Sequence, residues 1–282
     1  MLWGRRIIFR GLQRVQILRR LSLRWLVSRV FGFAYRNFIF SIRNFFTLTE
    51  ILFWPIIGII SIGLMSKFLN LDKNLTEFLL TGVIISGVLQ VSQLEVAYGI
   101  LYDVWSKSVK QTFIAPVKNY DVIIGSWISG ILRGFITFLL LFAISYLLFR
   151  FHIPDFKVAL ITLSGVFLNA LIVGMTVILF IYLFGQRIDV IAWMLSVLMM
   201  LVCGIYYPIK YLPGAVRIIA EILPLTYFLE YFRVSYQFPP SFKFLLLKGF
   251  GLSIIYTFLL YQAVMKAFVR AQKTGMIVKL SE

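Results

Sequence analysis

Two charged and two amide side chains fall inside long apolar stretches of the sequence: Gln90, Gln93, Glu95 and Arg133. A charge at membrane depth costs at least ~2.5–3.5 kcal/mol on insertion scales and is usually paired. We therefore predict that Glu95 and Arg133 pair between consecutive antiparallel helices. At ~100° per residue the two glutamines fall on another face of their helix, which predicts a helix surrounded by protein. A static pair and a gating element both fit, and all four residues are candidates for translocation or gating.

Residues that could bind a metal ion or carry covalent catalysis are scarce. The 282 residues include one cysteine, Cys203, and one histidine, His152, so neither a disulfide frame nor a histidine–cysteine metal cluster can form. The eleven carboxylates are scattered, and no G-x-x-x-x-G-K-[ST] phosphate loop is present. We expect no metal site, no cofactor and no catalytic residue in this chain. An integral-membrane lipid-modifying enzyme, which usually groups its acidic or histidine residues near one interface, is an alternative.

The composition indicates a membrane protein, because 61% of the residues are hydrophobic and the mean hydropathy is +0.92. A transmembrane helix needs ~20 mostly apolar residues. Backbone groups in lipid must be satisfied internally, so stretches of this length are helices. The predicted fold class is therefore an all-α polytopic membrane protein with six transmembrane helices. The six stretches are 46–66, 78–101, 122–149, 158–184, 189–207 and 244–265.

The distribution of basic residues predicts the orientation. Residues 1–48 contain ten arginines and no acidic residue. With this end inside, the inner segments hold eighteen lysines and arginines and the outer segments hold eight, as the positive-inside rule requires. We expect a multi-pass protein of the plasma (inner) membrane with both termini cytoplasmic. The net charge of +17 then reflects topology and an attraction to anionic lipids, with no nucleic-acid partner.

The N-terminal segment 1–45 has the pattern of a helix that lies on a membrane surface. Five of its arginines fall within a ~120° arc of a helix, with apolar residues mostly opposite. A cleaved targeting peptide is the alternative. The chain is thus divided into this segment, a six-span permease domain over 46–268 and a cytoplasmic tail over 269–282. The five arginines of the arc are Arg6, Arg10, Arg14, Arg20 and Arg24.

The cytoplasmic connection 102–118 is longer than a simple turn. Its apolar residues have the spacing of a short amphipathic helix, which a proline ends. A loop anchored at the membrane interface by Trp105 is one interpretation, and a helix that docks into a cytoplasmic partner is the other. The candidate contacts to that partner are Asp103, Trp105, Lys107, Val109, Lys110, Phe113 and Pro116.

The outer connection 206–244 contains five prolines. Its apolar middle is split by Pro224 into two pieces, each too short to span a bilayer. We predict a re-entrant or interfacial helical hairpin near the mouth of a pathway, because polar backbone at membrane depth requires protein or a water-filled cavity beside it. The candidate residues of this outer hairpin are Tyr206, Tyr207, Pro208, Pro213, Glu221, Pro224, Tyr227, Glu230 and Arg233.

Two of these segments resemble a known family. The run Gly204–Arg233 resembles the proline-rich signature of type-2 ABC transporter permeases, and Trp105–Gly125 is similar to the coupling helix and following span of that family. Six spans, cytoplasmic ends and an N-terminal interfacial helix extend the resemblance over nearly the whole chain. One departure is the sequence Ser-Lys-Ser at 106–108, where the family often has Glu-Gly-Thr. The contacts to an ATPase are expected to differ there.

The resemblance implies an ATP-driven exporter. In that case the chain is a permease that forms a homodimer or pairs with a sister permease. Two separate cytoplasmic ABC ATPase subunits bind ATP and magnesium, and alternating access moves an amphiphilic substrate of drug, lipid or glycolipid type out of the cytoplasm. A channel or a stand-alone secondary transporter is a further alternative, because spans with internal polar groups suit those classes as well.

Overall fold

The computed structural model describes most of the chain. Residues 1–26 of the predicted interfacial segment, which hold its arginine arc, lie outside the described residues, and so does most of the predicted C-terminal tail. The described residues are 27–40, 42–43, 45–115, 117–152, 154–185 and 189–274.

Within these ranges all regular secondary structure is helical. Apart from one short 3-10 turn at Ile209–Tyr211, the elements are α-helices. They are α1 (27–40), α2 (Phe45–Phe68), α3 (Lys73–Trp105), α4 (Val109–Ile114), α5 (Asn119–Phe149), α6 (Phe156–Phe184), α7 (Asp189–Val202), α8 (Gly214–Ile222), α9 (Pro224–Val234) and α10 (Leu245–Lys273).

Four helices, α3, α5, α6 and α10, are long and apolar enough to cross a membrane. α2 and α7 occupy the other two predicted positions, with shorter described apolar stretches at Leu52–Phe68 and Val190–Val202. Helices therefore lie at all six predicted positions, and a full crossing by α2 and α7 stays a prediction.

The fifth predicted span is shorter than the sequence suggested. Its apolar run extends over 189–207, but α7 ends at Val202. Gly204 then has a φ of +75°, a left-handed conformation that is typical of helix ends. The 14 residues of α7 cover about 21 Å at 1.5 Å per residue, less than the ~30 Å of a hydrocarbon core.

α3 lies at the centre of the bundle, where it packs against α2, α5, α6, α7 and α9. In its apolar stretch 83% of the residues are buried, against 22% for α10. This burial agrees with the prediction of a helix surrounded by protein, and it explains how α3 carries several polar side chains at membrane depth.

Small residues allow α5 to approach α3 closely. A Cβ atom on Gly130 would lie 2.7 Å from the backbone oxygen of Ser92, and one on Gly134 would lie 2.0 Å from the Ser92 hydroxyl. Ser126 likewise lies against Gly99. The backbones of the two helices therefore meet along this ridge, as small residues permit in membrane proteins.

The outer connection folds into two short helices, α8 and α9, which meet at Leu223 and Pro224. α9 is largely buried against α6 and α10. α8 exposes Ile218, Ile219 and Ile222. The predicted division of this connection at Pro224 is confirmed.

α1 packs against the bundle through one face. Val30, Phe33 and Ala34 are buried. At the contact with α5, a Cβ atom on Gly125 would lie 2.6 Å from Cβ of Phe33. The segment 27–40 is therefore a docked helix.

Candidate functional site

The predicted ion pair is present in the core of the bundle. Arg133 Nη1 of α5 donates to Glu95 Oε2 of α3. Glu95 is fully buried and Arg133 is 7% exposed. Glu95 Oε1 and Arg133 Nη2, and also the nearby Ser92 hydroxyl, are buried without a hydrogen-bond partner among the described residues. The pair thus satisfies only part of its hydrogen-bonding capacity in this conformation.

The two glutamines contact other elements. Gln93 Nε2 donates to Ala192 O at 2.9 Å and to Ser196 Oγ at 2.7 Å, both in α7. Gln90 lines a cavity of about 330 Å³ between α2, α3 and α7, together with Trp54 and other side chains. The four candidate translocation residues therefore do not form one cluster: two lie between α3 and α5, and two face α7 and this cavity.

The predicted coupling helix 102–118 is shorter in the structure. α3 continues to Trp105, so Asp103 and Trp105 lie at the end of α3, and the separate helix α4 has six residues. The extension occurs because the buried face of α3 continues as far as Val104. The chain leaves α3 at Lys107, an exposed residue whose φ of 56° is left-handed.

The candidate partner contacts differ in exposure. Trp105 is 48% exposed, with its ring edge-on to two tyrosines of α3. Val109 is buried in the core, so it positions α4 instead of contacting a partner. The side chains of Lys110 and Phe113, and all of Pro116, lie outside the described residues.

α1 joins both flanks of α4 through two arginines. Arg36 Nη1 donates to Asp103 Oδ1 at 2.7 Å, and Arg36 Nη2 donates to Gly99 O at 2.9 Å. Arg29 Nε lies 3.2 Å from Asp121 Oδ2 in the first turn of α5. Asp103 precedes α4 and Asp121 follows it, so α1 bridges the two ends of the α3–α5 connection.

Sequence reasoning did not identify this bridge. Arg29 and Arg36 belong to a segment whose ten arginines were interpreted as a topology signal. The available signal was their spacing of seven residues, which places both on one face of a helix, together with aspartates on both sides of the connection. Asp103 also accepts from Ser108 Oγ at 3.1 Å, which fixes the turn that leads into α4.

Arg233 is the buried centre of the outer hairpin. It was counted as an outer loop charge, but it is 4% exposed. Nη1 donates to Gly204 O at 2.7 Å, and Nη2 donates to Ile205 O at 2.7 Å and to Phe78 O at 3.2 Å. The guanidinium carbon also lies 3.5 Å from the centre of the Phe78 ring. Arg233 thus connects α9 to the residues after α7 and to α3.

Three prolines of the hairpin begin its elements. Pro208 precedes the 3-10 turn, Pro213 precedes α8 and Pro224 is the first residue of α9. Proline suits these positions because the first backbone N–H groups of a helix have no intrahelical acceptor.

Polar side chains stabilise the ends of the hairpin helices. The hydroxyl of Tyr227 donates to Glu221 O at 2.7 Å, and that of Tyr207 donates to a carbonyl near the end of α7. Glu230 Oε2 accepts from a backbone amide of the following loop at 2.8 Å. Tyr206 lines the cavity that contains Gln90.

The single histidine and the single cysteine both lie against neighbouring parts of the fold. His152 lies in the loop after α5, with Nδ1 3.1 Å from Glu77 Oε1, and its carbonyl accepts from the Tyr236 hydroxyl at 3.1 Å. Burial, and then the charge of Glu77, raise the pKa of Tyr236, so its hydroxyl remains a donor. Cys203 is buried one residue beyond α7. No group of three metal-ligating side chains occurs among the described residues.

A comparison with protein-family models identifies the family of this chain. A model described as ABC-2 type transporter matches residues 29–236, more than half of the chain. The chain belongs to the ABC-2 type transporter family. A similar protein is an uncharacterized protein of Archaeoglobus fulgidus, 44% identical over 53 residues that cover 19% of this chain and 83% of that protein.

The family match includes the elements described above as a candidate site. Residues 29–236 extend from the bridging face of α1, through α4 and the Glu95–Arg133 pair, to the outer hairpin. The chain is an ABC-2 membrane permease domain, an integral multi-pass protein. This domain is non-catalytic, and ATP hydrolysis lies on a separate ABC ATPase subunit.

Proposed function

We propose that this ABC-2 permease is the membrane subunit of an exporter that moves an amphiphilic substrate of drug, lipid or glycolipid type out of the cytoplasm. A second copy or a sister permease completes the pathway. Two cytoplasmic ATPase subunits bind ATP and magnesium and drive alternating access. The bracing of α4 on both flanks by α1 is the observation that supports this proposal most directly.

Force from an ATPase can move a transmembrane bundle only through a connection that does not deform. α4 is short and is held by the buried Val109, and the two ion pairs of α1 hold the helix ends on either side of it. Displacement of α4 therefore moves the ends of α3 and α5 together. α3 has the most extensive packing in the bundle, so a shift of its inner end is transmitted to most other helices.

The same elements support the proposed orientation. α4 and the described C-terminal end of α10 lie on the side to which α1 docks, because α3 and α10 both end there. The strongly basic N-terminal segment leads into α1. We assign this side to the cytoplasm under the positive-inside rule, which places the α8–α9 hairpin outside.

The cavity between α2, α3 and α7 is the proposed contact for substrate. Its volume of about 330 Å³ lies in the range of small-molecule sites, and it combines aromatic walls with the polar groups of Gln90 and Ser86. An amphiphile requires this combination of surfaces. Neighbouring apolar residues of α7, such as Met194 and Val197, are exposed and would be covered by the second permease.

The Glu95–Arg133 pair is the proposed gating element. A buried polar group without a hydrogen-bond partner costs roughly 1–3 kcal/mol. Three such atoms are present here, one in Glu95, one in Arg133 and one in the nearby Ser92. A second arrangement of α3 against α5 could satisfy them differently. Two conformations of similar free energy are what alternating access requires.

The test is reconstitution of this chain with and without its ATPase subunit in proteoliposomes. We expect ATP hydrolysis and ATP-dependent movement of rhodamine 6G or a fluorescent phospholipid only when both subunits are present. A partner ATPase that lacks its phosphate-loop lysine is the control. Transport by this chain alone, driven by an ion gradient, would show a secondary transporter or channel instead.

A further inference from the structure

A second cavity lies between α5, α6 and α10. Its volume is about 480 Å³, and it shares no helix with the cavity between α2, α3 and α7. None of its lining side chains, all within the described residues, carries a charge. Tyr120, Trp127 and Tyr261 line it together with aliphatic residues. A groove of this size and composition suits a hydrocarbon chain.

The groove has a defined inner end. Tyr120 is in the first turn of α5, and on α10 Tyr261 is the lining residue nearest the C-terminus. Hydrogen-bond contacts of Asn119 with Tyr182 of α6 and Met265 of α10 show that these helix ends lie together. From here to Trp127 the groove extends about 11 Å into the bundle, at 1.5 Å per residue. Tyrosines at this end suit the membrane interface, where aromatic residues concentrate.

A positive charge lies at this inner end. Lys118 is exposed, and its Nζ lies 5.5 Å from the centre of the Tyr120 ring. A lipid whose hydrocarbon chain lies in the groove would therefore have its head group at the level of Lys118. Electrostatic complementarity favours an anionic head group there, by about 1 kcal/mol per basic residue near the membrane surface.

We propose that this groove binds an anionic phospholipid of the inner leaflet, with one acyl chain between α5, α6 and α10 and its head group at Lys118. The assignment to the inner leaflet rests on the orientation proposed above. The lipid would contact the first turns of α5, directly after the α4 connection. Its presence would therefore change how much of a movement of α4 is transmitted to α5. The groove is therefore a site of regulation by lipid, separate from the proposed substrate cavity.

The test uses the purified full-length chain in nanodiscs with equal amounts of phosphatidylglycerol and phosphatidylcholine, without ATP or partner. After gentle delipidation, native mass spectrometry counts the retained lipids. We expect one phosphatidylglycerol per chain. Lys118→Gln should lower the preference for phosphatidylglycerol about fivefold, the equivalent of ~1 kcal/mol. Lys273→Gln, which removes an exposed charge at the end of α10, should leave it unchanged.

Thr257→Trp fills the groove and should reduce the retention of both lipids. Ile254→Trp is the second filling variant, because Ile254 lines the groove but is 66% exposed and can be enlarged without disturbing the fold. Equal retention of the two lipids by the unmodified chain, or normal retention in both filling variants, would overturn the proposal. Displacement of phosphatidylglycerol by rhodamine 6G would also overturn it, by assigning the groove to transported compounds. Failure of ATP-driven transport alone would not affect these results.

Discussion

Arg36 and Asp103 form an ion pair, 2.7 Å between Nη1 and Oδ1, that joins the N-terminal helix to the last turn of α3. Asp103 also accepts from Ser108 in the turn that leads into α4. One carboxylate therefore connects α1, α3 and the turn that leads into α4. In the proposed coupling mechanism, displacement of α4 by an ATPase therefore acts on this carboxylate.

Arg36→Gln should weaken coupling while the spans remain inserted. The lost interaction is worth about 1 kcal/mol, less than the ~1.5–3 kcal/mol of a typical charged hydrogen bond, because the Arg36 side chain is 34% exposed and screened by solvent. We expect lower substrate-stimulated ATPase activity of the reconstituted complex. Arg43→Gln removes an exposed arginine of the same segment and is the matched control. Equal activity of the two variants would mean that the pair does not transmit motion.

Glu95→Gln and Arg133→Met should each destabilise the protein more than the double substitution does. Either single change leaves an unpaired buried group, at roughly 3–5 kcal/mol, whereas the double change removes both charges. A double-mutant cycle on thermal stability and transport measures the coupling. The exposed pair Arg217–Glu221 is the control, for which we expect well under ~1 kcal/mol. Additive losses at Glu95 and Arg133 would contradict the pairing.

Gly130→Ala should destabilise the bundle by roughly 1–3 kcal/mol, because the added Cβ would meet the backbone oxygen of Ser92, which cannot rotate away. Gly251→Ala in α10 is the matched control, since nothing lies within 4 Å of its added Cβ. Alanine should be neutral or slightly stabilising there, by up to ~1 kcal/mol of helix propensity. Melting temperatures in detergent compare the two variants, and equal shifts would be inconsistent with close α3–α5 packing.

Trp105→Ala should lower coupling or assembly with the ATPase, and Phe113→Ala should do the same. A half-exposed tryptophan at the end of α3 can anchor a partner, and truncation of such an anchor commonly costs ≥2 kcal/mol. Phe184→Ala removes an exposed aromatic residue from the inner end of α6 as a control. Copurification with the ATPase is the measurement. Normal assembly and coupling in both variants would support an interfacial loop.

Replacement of Arg6, Arg10, Arg14, Arg20 and Arg24 by glutamine should reduce protection of the N-terminal segment at the membrane surface and lower transport. The expected loss is roughly 1 kcal/mol of attraction for each basic residue near an anionic surface. Hydrogen exchange and vesicle transport measure the two effects. Mass analysis of the purified chain checks the premise, because absence of these residues would identify the segment as a targeting peptide.

The parts of the structure that could be predicted are those in which a residue is unusual for its surroundings. Glu95 and Arg133 are charges in apolar stretches, so their pairing followed from the cost of leaving either alone. Pro224 divided the outer connection for a similar reason. Arg29 and Arg36 differ in no obvious way from the eight other arginines before residue 49. Their ion-pair partners could therefore not be predicted.

Helix ends were less predictable, because the hydropathy of a segment does not indicate the residue at which the helix ends. α3 continues to Trp105 since its buried face continues, although the apolar run was assigned only to residue 101. α7 stops at Val202 within an apolar run, because tertiary contacts satisfy the chain beyond it. Those contacts come from Arg233, which no local pattern associates with α7.

The contact of Arg233 with the carbonyls of Gly204 and Ile205 has a consequence for biogenesis. α7 ends at Val202, and the side chain that donates to the carbonyls beyond this end is synthesised later, in α9. During translation these two carbonyls therefore have no arginine donor until the hairpin has emerged. We expect the end of α7 to reach its final conformation only after α9 has been made, so that the order of synthesis and the order of folding differ at this point.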